Sequence, residues 1–447
     1  MLNALLFIAT YAAGFYASFT RNPAYAFVLY EAVYFFYPAG RSWGYMIPSI
    51  SYSFTVVALM ALVMALNYQQ AKQNKLLHCP QFRWMYILLI IYLCTYFIAV
   101  YPESHERFSI YFLKMVIIMS IAYKLIDSRE KLTYVIYGYL FGAWYIGFAA
   151  FQVGRNSGDR VEGIGTSAAP DANDIAAAIA PALVLSLYYF WASKKLWVKG
   201  LVVVAGVFIA NGLVLINSRG AFLGAIAGLT YLMFYMAFSS FKKKNQKLMV
   251  AFITIAGLAG TAVIIDPTSI ERFHSISQES AKSEEEANAS TRLFYWVAAW
   301  DMAKDHPFGS GHMGFNYHAT HYLPEDLDTG TAFRDVSVHS SWFEALSETG
   351  YPGLLAFILM LYSAFHTLTL CRKELRRTNQ VDEYYKIIAI QGALIAFIVA
   401  MTFINRMRAE VLYWLILYSA CAYNIYILKA QSKKAEAETS TKRDRKK

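Results

Sequence analysis

Apolar runs, each long enough to form a helix across a bilayer, recur along almost the whole chain and are broken by short polar segments. A transmembrane helix needs about 20 apolar residues, within a range of about 17–25. Runs of this kind fall at 2–19, 24–38, 49–67, 84–101, 108–126, 132–153, 171–191, 196–216, 220–239, 248–265, 351–370, 385–404 and 409–429. The run at 24–38 is short and proline-bounded, so twelve or thirteen spans are expected. The pattern predicts an all-α polytopic membrane protein of about 12 transmembrane helices, with one large external loop containing amphipathic helices. It divides the chain into a bundle at 1–265, a loop at 266–350, further spans at 351–430 and a basic tail at 431–447. The first run has no basic n-region and no small-residue cleavage site, so it reads as a retained span or re-entrant piece.

Composition agrees with this pattern. Hydrophobic residues make up 57% of the 447, aromatic residues 17%, and mean hydropathy is +0.36, outside the range of soluble domains. Cys79, Cys94, Cys371 and Cys421 lie in or beside spans without C-x-x-C spacing, which argues against a disulfide framework or a metal site. The net charge of +10 is unevenly placed. Lys72, Lys75 and Arg83, Arg129 and Lys131, Lys194, Lys195 and Lys199, Lys242 to Lys244 with Lys247, and Arg372, Lys373, Arg376 and Arg377 fall in every second loop. The tail lysines Lys433 and Lys434 continue the series. The positive-inside rule then places the C-terminus in the cytoplasm and the segments 102–107, 154–170, 217–219, 266–350 and 405–408 outside. The tail itself is apolar-poor and is expected to be disordered.

The external cations are nearly all arginine: Arg41, Arg107, Arg155, Arg160, Arg219, Arg272, Arg292, Arg334, Arg406 and Arg408. Topology disfavours positive charge outside, so these need another reason. A planar guanidinium grips phosphate oxygens in a fork, and the set suggests an anionic substrate at the outer face. Individual members can equally pair with external Asp and Glu. Arg219 lies in Asn217-Ser-Arg-Gly220, where one span ends and the next begins, so it is either a phosphate ligand or a snorkelling interfacial residue. Further on, Ser290-Thr-Arg-Leu-Phe-Tyr-Trp296 opens an amphipathic helix. Its apolar stripe Leu293, Trp296, Val297 and Trp300 is expected to lie against the bundle, with Arg292 in the first turn. Next comes a turn-rich segment with Pro307, Gly309, Gly311 and Gly314, whose small residues permit close backbone approach.

The order Ser218-Arg219-Gly220, Arg292 with Trp296, His306-Pro-Phe-Gly-Ser-Gly311, His339-Ser340, then Gly350 and Gly353 resembles the O-antigen ligase and O-antigen polymerase superfamily of bacterial membrane glycosyltransferases. Pro38-Ala-Gly-Arg-Ser-Trp-Gly44 with Pro48, Asp171-Ala-Asn-Asp-Ile175 and Arg272-Phe-His-Ser-Ile276 are similar to its exosortase-associated O-glycosylation ligase branch. The chain departs from that branch at Tyr37-Pro-Ala-Gly-Arg41 and at Asp171-Ala-Asn173. The resemblance implies transfer of a glycan from an undecaprenyl-diphosphate carrier to an acceptor hydroxyl at the periplasmic face of the bacterial inner membrane, with no cofactor and no metal. The acceptor is a glycan, lipid A-core or a protein hydroxyl, and no nucleic acid is involved. It further implies that Arg219 and Arg292 bind the diphosphate and stabilise its developing charge, and that His339 accepts the acceptor proton or orients the acceptor.

Other residues carry two readings. Arg160 precedes Gly163-Ile-Gly165 and is a candidate additional substrate contact. Asp171, Asn173 and Asp174 are explained by helix N-capping and would otherwise line the site. Lys114 and Glu31 lie inside predicted spans, where charge is a functional hypothesis unless they snorkel or face a wet cavity. His306, His312, His318 and His321 mix turn and helix spacings and give no closed zinc set. A polymerase extending lipid-linked repeats, or a protein O-oligosaccharyltransferase, shares the donor chemistry. A transporter would keep its polar groups at the midplane and show internal repeats, which this chain does not.

Overall fold

The computed structural model describes residues 2–158, 160–166, 168–264, 289–323 and 337–432. Helices run almost end to end: α1 (Leu2–Thr20), α2 (Tyr25–Phe36), α3 (Tyr52–Leu66), α4 (Tyr68–Ala71), α5 (Pro80–Cys94), α6 (Pro102–Leu125), α7 (Arg129–Val153) and α8 (Ala172–Ala192). Then come α9 (Leu196–Ile216), α10 (Arg219–Phe238), α11 (Gln246–Ile264), α12 (Ala289–Asp305), α13 (Gly314–Tyr322), α14 (Ser341–Arg377), α15 (Val381–Met401) and α16 (Glu410–Tyr423). Among the described residues, ten helices are long and apolar enough to cross a membrane, or eleven if α3 and the following Tyr68–His78 segment, bent by 86°, form one span. The all-α polytopic architecture is as expected, with fewer spans than the twelve or thirteen apolar runs. The run at 24–38 folds as a 12-residue helix that stops at Tyr37, in the left-handed region at φ 41°, before Pro38. Ten of its residues are buried, so it packs inside the bundle. The run at 248–265 becomes α11, whose shorter apolar stretch is Gln246–Gly257.

The centre of the bundle is α16, almost wholly buried, with Trp414 edge-on to Phe27, Tyr34, Phe35 and Tyr139. Small residues bring α10 and α15 into backbone contact. A Cβ on Gly224 would sit 2.3 Å from the carbonyl oxygen of Ala396, and one on Gly228 would sit 2.5 Å from that of Gly392. This close approach is what small residues at i and i+4 permit between membrane helices.

Glycines also shape the segment before α13. Gly309 has φ 83° and Gly350, inside α14, has φ 64° and breaks the helix there. The two backbones lie against each other: Ser310 N–H bonds the Ser347 carbonyl at 2.9 Å, Gly311 N–H that of Glu348 at 3.0 Å, and Tyr351 N–H that of Pro307 at 2.9 Å. A side chain at either glycine would meet backbone at under 2.5 Å, at 2.4 Å for Gly309 and 2.1 Å for Gly350.

The lysine-bearing loop ends gather at one end of the bundle, where Asp127 pairs with Lys131 at 2.8 Å and Lys429 at 3.2 Å, and Lys386 pairs with Glu383 at 2.9 Å. Arg160, Arg219, Arg292, His339, Arg406 and Arg408 converge at the other end. Glu31 is fully buried and accepts a hydrogen bond from the Tyr418 hydroxyl, whereas Lys114 is exposed on α6.

Candidate functional site

Four helix ends frame the site. α9 closes at Ile216, Asn217 takes the left-handed conformation at φ 55°, and Arg219 opens α10. α8 begins in a capping box in which the Asp171 carboxylate accepts from Asn173 N–H at 2.6 Å and Asp174 reaches back to Asp171 N–H. Both aspartates thus cap the helix, and each also meets a charge of the site, Asp174 at Arg406 and Asp171 toward His339. Arg160 joins these two ends: its Nε donates to the Ile216 carbonyl at 3.3 Å and Nη2 to Asn173 Oδ1 at 2.9 Å. Its guanidinium is turned to protein groups and holds the turn that presents Arg219.

α12 supplies Arg292 and packs on α14. The amphipathic stripe is reversed from expectation. Leu293, Val297 and Trp300 are exposed, while Ala298, Ala299, Met302 and Ala303 are buried, because the small residues allow closer packing than the bulky stripe. Trp296 alone of the stripe turns inward, stacking on Phe343 at 5.6 Å and donating its indole N–H to the Val338 carbonyl at 3.0 Å. That bond ties α12 to the irregular 337–340 segment carrying His339.

The arginines expected on the outer side separate by what holds them. Arg41 donates to the carbonyls of Phe35, Phe36, Gly163 and Ile164, Arg406 pairs with Asp174, and Arg408 is buried between Glu344 and Glu348. Arg219 and Arg292, by contrast, have no hydrogen-bond or ion-pair partner among the described residues, and the Arg292 Nε is buried without an acceptor. Burial, and next the nearby Arg219 charge, hold the Arg292 guanidinium below its ordinary pKa. His339 stands beside them: burial first, then the charge of Arg292, push its imidazole down to about 4, with Asp171 opposing weakly. The ring is therefore neutral at ordinary pH, and Arg219, Arg292 and His339 form one connected group.

Beneath the group lies a network that charge patterning did not reveal. Arg408 donates to Tyr92 Oη at 2.8 Å, to Glu344 at 3.1 Å and to both oxygens of Glu348. His312 Nδ1 meets Glu348 Oε1 at 2.8 Å, and its backbone N–H donates to His105 Nδ1 at 3.0 Å. The sequence did carry a signal, two glutamates at i and i+4 followed by an apolar span, which a buried cation would be needed to satisfy. The His306 and His318 rings meet at 4.3 Å, tilted by 33°. Among the described residues no three His, Cys, Asp or Glu side chains are grouped to hold a metal ion. The Arg272-Phe-His-Ser-Ile276 motif, the acidic run Glu284-Glu-Glu286 and Arg334 lie outside the described residues.

Residues 204–358 match the family model described as O-antigen ligase. The match runs from within α9 into α14 and so contains Arg219, Arg292, the Gly309 turn and His339. It supports the superfamily resemblance and, with it, an O-antigen ligase-like membrane glycosyltransferase. No curated protein gives a significant match to the chain.

Proposed function

We propose that this chain transfers a glycan from a polyprenyl-diphosphate carrier to an acceptor hydroxyl at the periplasmic face of the bacterial inner membrane. The supporting observation is the pair Arg219 and Arg292, two mutually repelling guanidiniums without acidic partners among the described residues, beside a neutral imidazole. Burying like charges together is unfavourable unless an anion joins them. A diphosphate supplies that anion, and the arginine forks fit its oxygens. In the transfer, the bond between the sugar anomeric carbon and the phosphate oxygen breaks, and the acceptor oxygen bonds to that carbon. The acceptor proton passes to His339, and the polyprenyl diphosphate leaves with its charge held by Arg219 and Arg292. The arginines take the place that a divalent cation holds in nucleotide-sugar enzymes, so the reaction is proposed to be metal-independent. Arg160 acts by holding the Ile216 and Asn173 ends in register. A ligase using a completed glycan is favoured over a polymerase by the resemblance to the O-glycosylation ligase branch, carried together by the segments 38–44, 171–175 and 272–276.

The test is incubation of the purified protein with a polyprenyl-diphosphate glycan and separate acceptors, with and without chelator. Glycosylation of one acceptor, unchanged by chelator, is the expected result. Donor left intact with every acceptor, or activity lost on chelation, would reject the reading.

A further inference from the structure

The loop between α15 and α16 is bonded to the His339 segment along most of its length. Thr402 accepts from the Trp342 indole at 3.0 Å, the Ile404 carbonyl accepts from Ser341 Oγ at 2.8 Å, and the same Oγ accepts from Arg406 N–H at 2.8 Å. Met407 N–H donates to Glu344 at 2.7 Å. Within this series Asn405 does something the others do not. Its Oδ1 accepts Ser340 N–H at 2.9 Å, and its Nδ2 donates to Ser337 Oγ. Since a backbone N–H can only donate, the atom facing Ser340 is the carbonyl oxygen, which fixes the orientation of the amide. One side chain thus spans His339, bonding residues on both sides of it.

His339 needs such a hold. It sits at φ 47°, a left-handed conformation that is unfavourable for a non-glycine residue and persists only where the surroundings enforce it. The Trp296 bond to Val338 is a further restraint, on a different helix. We propose that Asn405 is a positioning residue for His339, its amide clamping the 337–340 turn so that the imidazole stays against Arg292 and away from bulk water. The geometry stands on its own, while the consequence for transfer rests on the reading of His339 given above. The groups that face the ring are Arg292 from α12, Asp171 at the start of α8 and the Tyr295 ring at 6.4 Å. Releasing the clamp moves the ring away from Arg292 and into water, and both changes favour the protonated form.

Carbethoxylation by diethyl pyrocarbonate reads this without any transfer assay. The reagent attacks the neutral imidazole, so its rate at the His339 peptide, followed by mass spectrometry from pH 4 to pH 8, reports both exposure and titration midpoint. In the wild-type protein the reaction should be slow, with its midpoint near 4. In Asn405→Ala it should be at least fivefold faster, with the midpoint moved toward the ordinary value of about 6.5. Ser337→Ala, which removes one of the two bonds, should move both in the same direction by less. The His321 peptide serves as the internal reference. In transfer, both variants should lower kcat while donor KM stays near wild type, because the arginines hold the diphosphate.

A folded Asn405→Ala protein with wild-type rate and midpoint at His339 would overturn the proposal. If that variant does not fold, an unchanged His339 peptide in Ser337→Ala overturns it instead. Altered reactivity with unchanged kcat supports the clamp and removes His339 from the transfer step.

Discussion

Acidification tests the environment of His339 directly. With the imidazole held at about 4 by burial and by Arg292, about 90% of it is neutral at pH 5, against about 3% for an ordinary imidazole of pKa about 6.5, a difference of roughly 30-fold. Initial rates of transfer at limiting donor, from pH 4 to pH 8, give kcat/KM, whose acid limb reports the free protein. That limb should lie near 4. At saturating donor, the diphosphate charge beside the ring favours the imidazolium, so the limb of kcat should lie above that of kcat/KM. The same shift acts on stability. As pH falls, the unfolded chain takes up the His339 proton near 6.5 while the folded chain resists until about 4, so the group's contribution is full above 6.5 and is lost across that window. The loss is at most about 3.4 kcal/mol at 1.36 per pH unit, reduced by the partial exposure of the ring. Thermal unfolding of wild type and His339→Gln at pH 7 and pH 4.5 should converge at the lower pH by part of that amount. A kcat/KM limb near 6.5, or a kcat limb below it, would refute the placement of the imidazole beside the arginines.

Arg219→Ala and Arg292→Ala should each slow single-turnover transfer by about 100–1,000-fold with the folded yield preserved, on the scale of about 2.7–4 kcal/mol for one oxyanion donor. Lysine at either position should restore little, since a point charge cannot reproduce the fork, and wild-type-like turnover in the alanine variants would contradict the assignment. Arg408→Met leaves Glu344 and Glu348 buried without their cation and should lower the melting temperature, the loss being about 3–5 kcal/mol. Adding Glu344→Gln and Glu348→Gln should recover part of it, and an unchanged melt for the single variant would show that the network supports nothing. In intact cells and a cysteine-free background, a membrane-impermeant maleimide should label Ser280→Cys and not Asn245→Cys, the reverse pattern overturning the orientation.

Apolar length was the most legible property of the chain. The run at 196–216 and the helix Leu196–Ile216 coincide, because both ends carry polar punctuation, Lys194 and Lys195 before and Asn217 after. The first part of α14 was hidden. The expected span at 351–370 begins where Gly350 breaks the helix, but residues 341–349 ahead of it are helical too, since Glu344 and Glu348 look like loop residues until Arg408, 60 residues beyond Glu348, neutralises them. Arg219, Arg292 and His339 could be picked out by motif, and the structure brings them together. Asn405 could not, because an asparagine between two spans carries no pattern, and its role exists only once residues 337 and 340 are folded onto it.

The glycine contacts between α10 and α15 have a mechanical consequence. With backbone against backbone at Gly224 and Gly228, the helix that carries Arg219 has no room to tilt or slide toward its neighbour. α12 is different, anchored by a small-residue face and one indole while Leu293, Val297 and Trp300 stay uncovered. On the proposed role of the two arginines, they form a vice with one jaw welded to its frame, and adjustment to donors of different girth would fall to the jaw that carries Arg292.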